Sequence, residues 1–158
     1  MRDKILKMME EYFGGDEKRK AHARRVLEFA EQLIERESGD REIVEAAAIL
    51  HDIGIHEAER KYGSTAGKYQ EIEGPPIAKS LLEKAGFPRD KLSEVLEIIA
   101  HHHSGGIDTL NFKIIWDADW LVNIPDEVGL KDRDKLTRII GKVFLTRTGE
   151  ELAEKIYL

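Results

Sequence analysis

At 158 residues, 41% hydrophobic and 35% charged, the sequence has the size and composition of one globular domain with a sizeable core. The net charge of −6 argues against a general grip on nucleic acid, which needs clustered lysine and arginine. The lack of cysteine excludes disulfides, thiolate metal sites and a cysteine nucleophile. No apolar run approaches membrane-spanning length, and Met1-Arg2-Asp3-Lys4 has no signal-peptide core, so a soluble, cytoplasmic protein is expected.

Apolar residues recur at helical spacing, and strand-like alternation is nearly absent. The pattern predicts a first helix from Arg2 to Phe13, stopped by Gly14-Gly15. Asp16 can cap a second, running to about Glu37, with His22, Val26, Phe29 and Leu33 on its apolar stripe. Asp40 caps a third through Ile53. Gly54 to Gly74 is rich in glycine and charge, weakly periodic, and reads as a long loop of functional or mobile character. Pro75-Pro76 then opens a helix that Gly86 ends, because proline suits a first turn. Pro88 opens the next, to His103, and Ser104-Gly105-Gly106 breaks it. A very apolar helix from about Leu110 to Val122 follows, then two more, Asp132 to Leu145 and Gly149 to Tyr157. The expected fold is all-α, a single domain over residues 1–158 with seven or eight helices. Its chemistry-bearing core is expected over about 21–122, with the helices of 132–157 packed on it.

Four of the six histidines sit where a surface histidine is not expected. His22 lies on an apolar stripe; alone, it would be a core histidine bonded to a neighbour. His51-Asp52 closes the apolar run Ala46-Ala47-Ala48-Ile49-Leu50, where an ionisable pair is costly unless something pairs with it. A helix C-terminus favours the histidine but opposes the aspartate, and a nearby cation would remove that objection. His102 and His103 follow Val95, Leu96 and Ile99 at helical spacing and can face inward, whereas His101 follows Glu94 and Glu97 and faces solvent. His56 is expected to be exposed. Asp117 and Asp119 lie in an otherwise apolar segment, two residues apart and therefore facing different ways; periodicity does not decide between them. Buried imidazoles and carboxylates drawn from separate helices suit Zn, Mn, Fe, Co or Ni better than Ca.

These residues, in this order, resemble the HD-domain superfamily of metal-dependent phosphohydrolases. The pattern H…HD…D falls on His22, His51-Asp52 and Asp119, in the contexts HARRV, AAILHDIG and KIIWDAD. The resemblance spans about Ala21 to Val122. It implies that His22, His51, Asp52 and Asp119 hold one divalent transition metal (Mn, Fe, Ni, Co or Zn, with Mg also admissible). Members with a second metal carry a histidine in H-x-x-x-G, where this chain has Gln70 before Gly74, and another in A-I-x-x-H, which nominates His102, with His103 beside it. Glu73 could stand in as an oxygen ligand. Gln70 leads to the expectation of a single tightly held ion.

The same resemblance implies hydrolysis of a small phosphate ester or anhydride, with a nucleotide as the leading candidate. Asp52 would also orient the attacking water. Glu57 would act as general acid from the loop, Arg25 would clamp phosphate one turn below His22, and Lys68 would be a weaker cation. A solvated helix face is the alternative for Arg25. The expected partner is a small phosphorylated substrate, neither nucleic acid nor membrane, and a homodimer is left open. Two rivals are an HD-like metal oxygenase, against which Gln70 speaks, and a non-catalytic helical module that binds a nucleotide.

Overall fold

The computed structural model describes all 158 residues and contains nine helices and no strand. In chain order they are α1 (Arg2–Phe13), α2 (Glu17–Glu37), α3 (Arg41–Leu50), α4 (Ile55–Tyr62), α5 (Gly67–Ala85), α6 (Arg89–His101), α7 (Leu110–Glu127), α8 (Arg133–Val143) and α9 (Arg147–Tyr157). No helix is long and apolar enough to cross a membrane.

Side-chain caps fix where several helices begin. Asp16 accepts from the Arg19 amide, Asp40 from that of Ile43, Thr109 from that of Phe112, and Asp132 from that of Lys135. Apart from Glu45, helix α3 is apolar from Ile43 to Leu50, and every residue of that stretch is buried. A helix of that kind belongs at the centre, and α3 packs against α1, α2, α6 and α7. A continuous cluster of 35 buried apolar residues surrounds it. The C-terminus of α3 therefore opens into the middle of the molecule, which is where His51 and Asp52 lie.

The segment from Gly54 to Gly74 is not the loop its composition suggests. It forms α4 and the first two turns of α5, and Pro75-Pro76 lie inside α5 rather than at its start. The glycines serve packing. A Cβ on Gly54 would lie 2.5 Å from the backbone nitrogen of Gly74 and 2.9 Å from the Gln70 carbonyl oxygen, so α5 crosses the turn after His51-Asp52 backbone to backbone. Tyr62 stacks on Tyr69 with ring centroids 4.2 Å apart, and Glu73 accepts from Lys61 and Tyr62, fastening α4 to α5. Helix α7 also runs beyond Val122, through Pro125 to Glu127.

One buried acid pair sets a pH dependence for the scaffold. Glu45 of α3 lies against Glu31 of α2, with Arg2 at 2.9 Å from Glu31 and 3.7 Å from Glu45. Burial, and then the hydrogen bond with Glu31, push the Glu45 carboxyl up to about 7. Its folded value is thus raised above the usual 4.5, so its contribution to stability is complete below about pH 4.5 and lost as pH rises through about 7. Glu45→Gln keeps a donor for Glu31 without the titration. Its melting temperature is expected to gain on that of the parent as pH rises across that window; a pH-independent difference, read by thermal unfolding, would contradict this.

Candidate metal centre

Four helices deliver the polar cluster. His22 comes from α2, His51 caps the C-terminus of α3 with Asp52 in the following turn, Asp119 comes from α7, and His102 caps α6. The last carbonyls of a helix have no partner within it, and two of them orient imidazoles here. His51 Nδ1 donates to the Ala48 carbonyl oxygen at 2.7 Å, and His102 Nδ1 to that of Ile99 at 2.7 Å. A carbonyl only accepts, so Nδ1 carries a proton in each ring, and Nε2 is the atom turned towards the cluster. A buried histidine oriented in this way is prepared to ligate a metal.

His22 Nε2 lies 3.2 Å from His51 Nε2 and 3.1 Å from Asp119 Oδ1. Asp52 Oδ2 is 3.3 Å from both imidazole nitrogens, and His51 Nε2 is 3.5 Å from Asp119 Oδ1. Ligands held about 2.0–2.2 Å from one centre leave neighbouring donors about 3–3.5 Å apart, so these residues fit one divalent ion. Nitrogen and carboxylate oxygen without sulfur suit a first-row transition metal.

The electrostatics agree with that fit. Burial disfavours charge on His51, yet Asp52 and Asp119 outweigh it and hold the imidazole well above its usual value. Burial would raise Asp52 and Asp119, but the histidines hold both carboxyls well below the usual range. The cluster draws positive charge into itself.

The second carboxylate oxygen of Asp52 faces the other way. Oδ1 is 3.2 Å from His102 Nε2 and 4.0 Å from His103 Nε2, and these three form a second group able to hold an ion. Gln70 does stand where the sequence pattern wants histidine, but His103 Nε2 lies 3.2 Å from its Oε1, on that side of Asp52. His103 is fixed from below: Glu71 accepts from the His103 and Ser104 amides at 3.0 and 2.8 Å. Burial, and then His102, lower its pKa.

A cleft of about 220 Å³ opens beside the cluster, lined by His102, His103, Trp116, Asp119, Trp120, Asn123 and Glu127.

Residues 19–139 match the HD domain family. The chain belongs to the HD domain family. Its structure is similar to the crystal structure of a predicted HD superfamily hydrolase from an uncultured Thermotogales bacterium. The two share 29% sequence identity and a TM-score of 0.71, over 97% of this chain and 83% of that one. None of the curated proteins compared matches it.

The HD pattern thus falls on the four side chains that converge. Several other expected participants stand elsewhere. Asp117 points away from Asp119, its neighbour but one: it is fully buried and accepts from the Leu145 amide at 2.8 Å and from the Thr146 amide and hydroxyl at 2.8 and 2.6 Å. Burial raises it to about 6. A Cβ on Gly149 would lie 2.3 Å from its Oδ2, so α9 seats directly on this carboxylate. Glu73 is held by Lys61 and Tyr62, at 2.9 and 2.8 Å, and does not reach the cluster. Glu57 sits on α4 and is paired with Arg60 at 3.0 Å. Lys68 is exposed over the Tyr69 ring, 4.9 Å from its centroid. Arg25 is exposed, acts on Tyr157, and is absent from the cleft lining. His56, half exposed, bonds Asp16 at 2.7 Å.

The cleft wall of Trp116, Trp120, Asn123 and Glu127 is not among the expected site residues. Its signal is an i, i+4, i+7, i+11 stripe of aromatic and polar residues on α7. Ending that helix at Val122 leaves Asn123 and Glu127 off it.

Asp119→Asn is expected to weaken metal binding by about 10-fold or more while the protein stays folded. Asp117→Asn is expected to keep the metal and lower stability by about 1–3 kcal/mol, because a group with three donors is disturbed. Metal content and melting temperature of both variants check this; the reverse pattern would contradict it.

Proposed function

We propose that this HD protein is a metal-dependent phosphohydrolase acting on a small phosphate ester or anhydride, with a nucleotide as the leading substrate class. The observation that carries the reading is the convergence of His22 and His51 on each other and on both Asp52 and Asp119, at 3.1–3.5 Å, beside an open cleft. Family membership and the likeness to a predicted HD superfamily hydrolase support hydrolysis.

In this reading the four residues hold one divalent ion: Mn, Fe, Ni, Co or Zn. A bound ion of this kind brings water towards ionisation at neutral pH and offsets charge on a phosphoryl oxygen. The protein's own groups do the rest. Asp52, anchored by His102 on one oxygen, keeps the other aimed at the site and orients the attacking water. His103, 39% exposed at the cleft wall, is placed to meet a phosphate oxygen or pass a proton. With Glu57, Arg25 and Lys68 absent from the cleft lining, these imidazoles take the roles otherwise expected of an acidic or basic loop residue.

A second reading, with two ions sharing Asp52, is favoured by the group of Asp52 Oδ1, His102 and His103. Metal stoichiometry separates the two.

A panel of phosphomonoesters and nucleotides, run with several divalent metals and after chelation, tests the proposal. Metal-dependent hydrolysis is expected, falling about 100-fold or more in His51→Ala and Asp52→Ala. Equal rates in the parent and both variants would place the activity outside this site. Absence of bound metal, with no gain in melting temperature on adding Mn or Ni, would favour a non-catalytic module instead.

A further inference from the structure

The cleft has an unusual charge inventory for a phosphate site. None of its seven lining residues is lysine or arginine, and two, Asp119 and Glu127, are acidic. One face of α7 supplies most of the wall. At a rise of about 1.5 Å per residue, Asn123 lies about 6 Å and Glu127 about 12 Å along the axis from Asp119. Neither the Asn123 amide nor the Glu127 carboxylate has a hydrogen-bond or ion-pair partner within the protein, although 23 ion pairs occupy the rest of the surface and site.

The tryptophans differ in the same way. Trp116 is pinned by its indole N–H, which donates to the Val143 carbonyl oxygen at 3.2 Å, and its ring packs on Phe112 at 5.8 Å. It is a fixed wall on the far side of Asp119. Trp120 is half-buried, and its indole N–H has no protein partner. From the metal donors outward, α7 therefore presents an aromatic face, a free amide and a free carboxylate. A nucleotide likewise carries its phosphate at one end and a flat base with polar edges at the other.

We propose that this face of α7 selects the leaving group. The substrate it selects is a monophosphate ester of a flat, uncharged group with N–H donors at its far end, namely a nucleoside monophosphate with an amino-bearing base. The base stacks on Trp120, Asn123 meets the sugar or the near edge of the base, and Glu127 accepts from the amino group. Further phosphates are disfavoured, because extra negative charge in this cleft meets Glu127 and no arginine or lysine. A carbonyl edge in place of the amino group sets oxygen against the Glu127 carboxylate and removes the amino donor it would otherwise meet. In the reaction, water oxygen bonds to phosphorus as the ester P–O bond breaks; the leaving nucleoside oxygen takes a proton, and inorganic phosphate is released. The inference rests on the phosphohydrolase reading above.

The test compares kcat/KM for adenosine, guanosine and cytidine monophosphates with uridine and inosine monophosphates and with the matching triphosphates. It uses the metal-loaded parent, Glu127→Gln and Glu127→Lys, with p-nitrophenyl phosphate as a generic ester and thermal unfolding as the check on folding. The parent is expected to prefer amino-bearing monophosphates by about 10-fold or more over both other groups. Glu127→Gln should bring the base preference to within about 3-fold, and Glu127→Lys should raise triphosphate use relative to monophosphate. A parent that hydrolyses p-nitrophenyl phosphate but shows neither preference, or a folded Glu127→Gln that retains both, overturns the inference alone. Failure of the parent to hydrolyse any phosphate ester with any metal overturns the phosphohydrolase reading and this inference with it.

Discussion

Two carboxylates cannot each be held 3.1–3.5 Å from the same two imidazoles at the mouth of an apolar core unless positive charge comes with them. Protons on the histidines can provide that charge, and so can a divalent ion; the orientation of the rings favours the ion. His51 donates its Nδ1–H to the Ala48 carbonyl oxygen and turns Nε2 towards His22 and the carboxylates, the arrangement of a metal-ligating imidazole. The molecule is arranged to keep this unfavourable group together.

The scaffold shows how. Helix α3 is buried on all sides, so its last residue cannot retreat to solvent, and its unpaired terminal carbonyls orient the imidazole there. Gly54 lets α5 close on the turn behind Asp52, and the end of α6 delivers His102 with the same carbonyl device. Helices α2 and α7, packed on α3 and on each other, bring His22 and Asp119 together. Ligand positions that far apart in the chain depend on the core, and the core depends on the helix patterns that place apolar faces inward.

The readable parts of the sequence were those where burial and charge conflict. His51-Asp52 after an alanine-rich run, and His22 on an apolar stripe, are costly without a shared partner, and that cost was visible in one dimension. The choice between Asp117 and Asp119 was not: both are embedded in apolar sequence, and only in the fold does Asp117 turn to the amides of Leu145 and Thr146 while Asp119 turns to the histidines. The glycines after Gly54 were ambiguous for the same reason, since close helix crossing and loop flexibility draw on the same residue. Glu57, Glu73 and Lys68 lie in that segment, so an open loop brought them near the site and a helix pair took them away to Arg60, to Lys61 and Tyr62, and to Tyr69. Asn123 and Glu127 lay beyond the expected end of their helix at Val122, whereas α7 runs on through Pro125 to Glu127.

Crystals grown with Mn(II), with data collected at the manganese absorption edge, test the central claim most directly. The account predicts an anomalous peak bonded to Nε2 of His22 and His51 and to one carboxylate oxygen each of Asp52 and Asp119, at about 2.0–2.2 Å. A peak elsewhere on the chain, or none at saturating metal with these four side chains ordered, would contradict it.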